Sequence, residues 1–136
     1  MMFYRTDILS ELGIDKPPQT WLELIDMLPA IQRNYMSAGL VLPSANTSPA
    51  TECGHTFAML MLQQGMTYYS EDLSASTLDS NKAVNAFEMW TDFYTDYSFE
   101  QSYDAFSRFR TGEYPIVISN YTIYNQLTAA SPEKKG

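Results

Sequence analysis

The chain has 136 residues and a formal net charge of -8, with a sequence pI near 4.4. At that length a domain buries roughly two-thirds of the surface its unfolded chain exposes, and a hydrophobic content of 45% excludes wholesale disorder. The acidic balance argues against a nucleic-acid binder, which needs a basic stripe, and the single cysteine, Cys53, excludes an internal disulfide or a Cys/His zinc framework.

Aromatic residues make up 14% of the chain, with ten tyrosines. Tyr and Trp join an apolar face to a polar handle, which suits core edges and carbohydrate-like ligands alike. No apolar run reaches the ~18 residues of a membrane span. The start, Met1-Met2-Phe3-Tyr4-Arg5, lacks the long apolar segment of a signal peptide. Any export signal is therefore expected outside this chain, which reads as a piece of something longer.

Met2-Phe3-Tyr4 is short and apolar and predicts a strand. Thr6 or Asp7 is placed to cap a helix through Leu12, ended by Gly13, with Ile8, Leu9 and Leu12 at helical spacing. Lys16-Pro17-Pro18 reads as a rigid linker. Thr20-Trp21-Leu22-Glu23 has the form of a capping box, opening a helix with Leu24, Ile25 and Leu28 inward. Pro29 is expected to kink or split that helix. Ala30 to Ala38 continues the pattern, and Gly39 is expected to stop it. Trp21 reads as a packing anchor.

Leu40-Val41-Leu42 predicts a buried strand, and Ser44 to Thr51 a polar loop facing any ligand. A helix follows from about Glu52 to Gln64, apolar nearly all round and so buried on more than one face, with Gly65 at its end. Met66 to Leu78 suggests a surface hairpin. Asp79 or Ser80 is placed to cap a helix over Asn81–Tyr97, whose expected inward stripe is Ala83, Val84, Phe87, Trp90 and Tyr94. Glu88, Asp92 and Asp96 read as its solvated face. Ser102 or Asp104 caps a helix carrying Phe106 and Phe109 inward to Thr111. Gly112 supplies the left-handed end of that helix. Pro115-Ile116-Val117-Ile118 then forms a buried strand, and a last helix runs from about Tyr121 to Ala129.

The known motifs for catalysis and nucleotide binding are missing: there is no GxSxG, HExxH, P-loop or GxGxxG. His55 is the only histidine, and its nearness to Cys53 does not make a nucleophile-base pair without supporting geometry. The junction Ser119-Asn120-Tyr121, at the carboxyl end of a strand, offers helix N-terminal N–H groups, an amide and a phenol together. Asn120 reads equally as a helix cap and as a ligand contact. Tyr124 reads as a core or rim residue, or as a stacking platform.

Three blocks carry a resemblance. One is Phe109-Arg110-Thr111-Gly112-Glu113-x-Pro115-Ile116-x-Ile118 with Asn120-Tyr121-Thr122-x-Tyr124-Asn125-Gln126-Leu127. The second is Phe3-Tyr4-Arg5-x-Asp7-Ile8-Leu9-x-Glu11-Leu12-Gly13-Ile14 with its Pro17-to-Leu24 sequel. The third is Leu78-Asp79-Ser80 leading to Ala86-Phe87-x-x-Trp90-Thr91-Asp92-x-Tyr94. In this order they resemble the extracellular solute-binding proteins (family 1) of ABC importers, the sugar-binding kind.

The resemblance implies an α/β fold: a periplasmic-binding-protein-like type II lobe with a short central sheet between helices. It implies that residues 1–136 are the central segment of the carboxy-terminal lobe of a two-lobe protein. The amino-terminal lobe and a lipoprotein signal would lie outside the chain. It further implies an extracellular location, an oligosaccharide as solute, an ABC permease as partner, and no catalysis, cofactor or metal. Ligand contacts would fall at about Asn46 to Thr56, including Asn46 and His55; at Ser102 and Tyr103; and at Asn120, Tyr121 and Tyr124. Two other readings remain beside it. One is a carbohydrate-processing enzyme domain using Glu52 and Asp104, which needs two carboxyl groups roughly 5–10 Å apart across a cleft. The other is a protein-interaction module with an apolar groove.

Overall fold

A computed structural model describes residues 1–40, 49–101 and 103–130, the side chains of 49–55 and 130 excepted. Three strands, β1 (Met2–Tyr4), β2 (Gly39–Leu40) and β3 (Ile116–Ile118), form one sheet in the order β1-β3-β2. The last strand in sequence is the central one. β1 runs antiparallel to it, with Phe3 opposite Val117, and β2 runs parallel, with Leu40 opposite Ile118. β3 is apolar along its length and Ile116 and Val117 are fully buried, which fits a strand covered on both faces.

The two faces take different helices. On one, α2 (Trp21–Asn34), α3 (Pro49–Gln63) and α4 (Asn81–Thr95) pack a core of Leu24, Leu28, Ile31, Leu60, Met61 and Phe93 against Ile116. On the other, α5 (Ala105–Thr111) and α6 (Thr122–Ala130) enclose Phe109, Tyr114, Ile123 and Leu127 around Val117. The expected three layers are therefore present. Burying Phe93 alone removes roughly 1.5–3 kcal/mol of apolar exposure.

α1 (Thr6–Glu11) is not capped by Thr6 or Asp7, which lie inside its first turn; its cap position is Arg5, with no side-chain cap bond. The Asp7 carboxylate turns back to Arg5 instead, in a bidentate pair at 2.8 and 2.6 Å. Arg5 also donates from Nη1 to the carbonyls of Phe109 and Arg110, at 3.3 Å each, at the end of α5. The Phe109 carbonyl also accepts from the Gly112 N–H at 3.2 Å, and a cation beside these last-turn carbonyls offsets the negative end of the helix dipole.

The Thr20 hydroxyl accepts from the Glu23 N–H at 3.2 Å, as the capping box requires. Glu23 reaches one residue further back than expected, to the Gln19 N–H at 2.6 Å. α2 is not split at Pro29. Pro29 lies on the exposed face, where water can take the carbonyl it leaves unbonded. The helix ends at Asn34, so Gly39 does not stop it; Gly39 opens β2.

Residues 41–48, where the sequence places the rest of that strand and most of the polar loop, lie outside the described residues, as do Ser102 and 131–136. α3 starts at Pro49, three residues ahead of the expected Glu52; proline is tolerated in a first turn. The hairpin is reduced to one bridge, Tyr69 to Ser76. Ser80 caps α4 by accepting from the Ala83 N–H. The inward stripe of α4 is rotated from the expected one. Ala83, Ala86 and Phe93 are buried, while Val84 is 45% and Phe87 50% exposed. Two apolar stripes compete on this helix, and the one with small alanines lets α4 approach its neighbours closely.

Candidate functional site

The carboxyl ends of β2 and β3 and the start of β1 share one edge of the sheet. There the Met1 nitrogen donates to the Ser119 carbonyl at 2.7 Å, and the Ser119 N–H donates to the Met1 carbonyl at 2.8 Å. This pairing continues the β1–β3 ladder one step beyond Ile118 and holds Ser119 buried. The chain then turns outward. Asn120 Oδ1 accepts from the Thr122 N–H at 3.0 Å, so its side chain caps the start of α6.

Asn120 is exposed, and its capping bond uses only the amide oxygen. The amide nitrogen, with two donors, remains available beside Tyr121. Tyr121 is 52% exposed and Tyr124 41% exposed, with ring centroids 5.0 Å apart and planes inclined by 33°. They stand three residues apart across the first turn of α6, on one helix face. The junction thus brings together three of the predicted contacts: Asn120, Tyr121 and Tyr124.

Tyr103 is placed differently. Its hydroxyl is buried, finds no well-formed hydrogen bond among the described residues, and rests against β2 where Gly39 has no side chain; a Cβ there would lie 2.3 Å from it. Its ring meets Tyr114 edge-on, with centroids 4.7 Å apart. Burial drives the Tyr103 phenol well above its ordinary pKa, so it stays protonated. Tyr114, fully buried, is raised for the same reason, with Glu100 reinforcing the shift. Asn46 lies outside the described residues. The backbone of His55 belongs to α3, and its side chain lies outside them.

A groove of about 640 Å³ opens at the same edge, lined among others by Met2, Trp21, Met59, Gln63 and Ile118. Trp21 is the packing anchor expected of it, tilted against Phe93 at 5.2 Å. Its indole N–H also donates to Gln63 Oε1 at 2.7 Å, across 42 positions of sequence. Sequence reasoning missed Gln63, because only the packing of α3 on α2 brings the two together.

Of the two acids named for a hydrolytic pair, the side chain of Glu52 lies outside the described residues. The Asp104 carboxylate accepts from both the N–H and the hydroxyl of Ser107, at 3.2 and 2.7 Å, which caps α5 and holds its pKa low. Among the described residues no group of three or more His, Cys, Asp or Glu is placed to hold a metal ion, and no helix is long and apolar enough to cross a membrane.

A three-layer α/β unit thus presents exposed amide and phenol groups at its strand ends. The model of the bacterial extracellular solute-binding proteins matches residues 1–135, and the chain belongs to that family. Its fold is similar to an ABC transporter solute-binding protein from Thermotoga lettingae TMO, solved with α-D-tagatose bound. The TM-score is 0.73 at 21% identity, over 99% of this chain and 36% of that one. It is also similar to an ABC substrate-binding protein from Listeria monocytogenes in complex with cycloalternan. There the TM-score is 0.71 at 17% identity, over 96% of this chain and 34% of that one. The chain thus spans about a third of the length of these solved structures.

Proposed function

We propose that residues 1–136 are the central segment of the carboxy-terminal lobe of a two-lobe protein that captures an extracellular sugar, an oligosaccharide, and hands it to an ABC permease. The observation that carries the reading is the exposed Tyr121–Tyr124 pair beside the Asn120 amide, at the carboxyl edge of the sheet. Phenol rings offer flat apolar faces to a sugar ring, and the amide and phenol groups hydrogen-bond its hydroxyls. Membership of the family and the sugars bound by the two structures of similar fold support the choice.

In this reading the lobe supplies half of a cleft, and closing a second lobe over the solute supplies the rest. Residues 1–136 by themselves then bind weakly. The protein works outside the cell, held to the membrane by a lipid anchor, and performs no catalysis. The commitment of Asp104 to the cap of α5 favours binding over carbohydrate hydrolysis.

The test is a thermal-shift and calorimetric screen of the complete gene product against mono- and oligosaccharides, peptides and polyamines. A saturable response to sugars is expected. Silence with every sugar and a clear response to peptides or polyamines overturns the sugar assignment and leaves the fold untouched.

A further inference from the structure

The opposite edge of the sheet, where β3 begins, carries an exposed thioether in a polar setting. Met36 follows α2 and is 43% exposed. Its backbone N–H donates to the Glu113 carbonyl at 3.1 Å, which ties the approach to β2 to the turn ahead of β3. Its sulfur lies 2.9 Å from Arg108 Nη1, and the same nitrogen pairs with the Glu113 carboxylate. Met36 also lines an open cavity of about 290 Å³ with Ile8, Tyr35 and Gly112. Met61, by contrast, is buried in the core between α3 and its neighbours. A thioether is a weak acceptor for a donor as strong as a guanidinium. A sulfoxide oxygen is a far better one.

We propose that Met36 is an oxidation site whose sulfoxide is received by Arg108, so that the fold absorbs the modification. The oxidant is a peroxide. A sulfur lone pair attacks one oxygen of hydrogen peroxide, and the S–O bond forms as the O–O bond breaks. The departing hydroxide takes the proton of the transferred oxygen and leaves as water. Sulfur loses two electrons and the peroxide gains them. In an apolar core this chemistry forces a polar group into close packing and disrupts it. At Met36 the new oxygen arrives at the surface, beside a cation already in place. The flexible side chain can swing it toward Arg108, and a hydrogen bond from an ionised donor is roughly twice as strong as a neutral one. Met36 lies at the far end of β3 from Asn120 and Tyr121, so its oxidation leaves the candidate sugar site intact. The inference does not depend on the sugar reading.

The test exposes the complete gene product to graded hydrogen peroxide and follows each methionine by peptide mass spectrometry. Sulfoxide is expected at Met36 several-fold faster than at Met61. Protein oxidised at Met36 is expected to unfold at the parent temperature or above it. Met36→Leu, given the same peroxide, reports what the remaining methionines contribute. In Arg108→Gln the Met36 sulfoxide is expected to lower the unfolding temperature. Should that variant fail to fold, Arg108→Lys takes its place, because it keeps a charge for Glu113 and lacks the planar fork. Oxidation of Met36 no faster than of Met61 overturns the proposal. So does an equal effect of the Met36 sulfoxide on the parent and the Arg108 variant. Failure of every sugar to bind, with the oxidation as expected, overturns only the sugar assignment.

Discussion

Gly39 and Tyr103 touch where a side chain on the glycine would have no room: the phenol oxygen occupies the space a Cβ would need, 2.3 Å away. The contact ties the loop ahead of α5 to β2, the strand that leads into the candidate ligand-facing loop. Gly39→Ala is expected to cost about 1–3 kcal/mol through overpacking, read as a lower urea midpoint at unchanged slope. Combining it with Tyr103→Phe is expected to recover part of that loss, because the clashing atom is the hydroxyl itself. An alanine variant as stable as the parent would show that the ring moves aside freely.

Tyr103→Phe alone discriminates between two roles for the phenol. Its hydroxyl is buried with no well-formed hydrogen bond among the described residues, so removing it is expected to leave stability equal or raise it by up to about 1 kcal/mol. A loss of 1 kcal/mol or more in thermal or urea unfolding would mean the hydroxyl has a partner. A fall in sugar affinity with stability unchanged would place that partner on the ligand.

Asn120 carries a cap and a candidate contact together, and two substitutions separate them. Asn120→Ala is expected to lose about 0.5–2 kcal/mol of stability with the cap and to weaken sugar binding as well. Asn120→Asp keeps an accepting oxygen for the Thr122 N–H and removes the amide donors. It is expected to hold stability and still bind sugar less tightly. Equal affinity in the aspartate variant and the parent would reduce Asn120 to a cap. Tyr121→Ala complements the pair: with the ring 52% exposed, unfolding is expected to change by less than about 0.5 kcal/mol while affinity falls.

How much of this was legible in the sequence depends on what each residue answers to. Gly112 was readable from type alone. Its φ is +87°, the left-handed conformation that a helix end before a strand demands. Thr20, Ser80 and Asp104 were readable because a cap is a local bond. The orientation of α4 was not. Helical spacing marks both the Phe87–Trp90–Tyr94 row and the Ala83–Ala86–Phe93 row, and only neighbouring helices choose between them. Arg5 was illegible for the same reason: its partners Phe109 and Arg110 lie over a hundred positions away. At the candidate site the chemistry of Asn120, Tyr121 and Tyr124 was readable at the junction. The inward turn of Tyr103 depended on an absent side chain in another strand.

The Arg5–Asp7 pair makes a statement about acid. The hydrogen bonds from Arg5 hold the Asp7 carboxyl at about 2, below its ordinary 3.8. A depressed carboxyl contributes its full stability above the unfolded value and loses it as pH falls through the folded value. The contribution is therefore expected to fade between about pH 4 and pH 2. Asp7 is largely exposed, so solvent screening limits it to under about 1 kcal/mol. Asp7→Asn is expected to flatten the acid limb of the stability–pH curve there and to leave stability changed by less than about 1 kcal/mol at neutral pH. An unaltered acid limb would show that the pair does not persist in solution.

Sheet order also sets a timetable for synthesis. β1 and β2 have no pairing with each other; both wait for β3, which lies between them in space and after them in sequence. Roughly 75 residues separate Leu40 from Ile116, about 4 to 15 seconds of elongation at ribosomal speed. Throughout that interval the nascent chain holds two strands with no template, so the β1-β3-β2 sheet does not close until the final fifth of these residues emerges. Until β3 emerges, α1 to α5 and their local contacts are all that can organise the emerging chain.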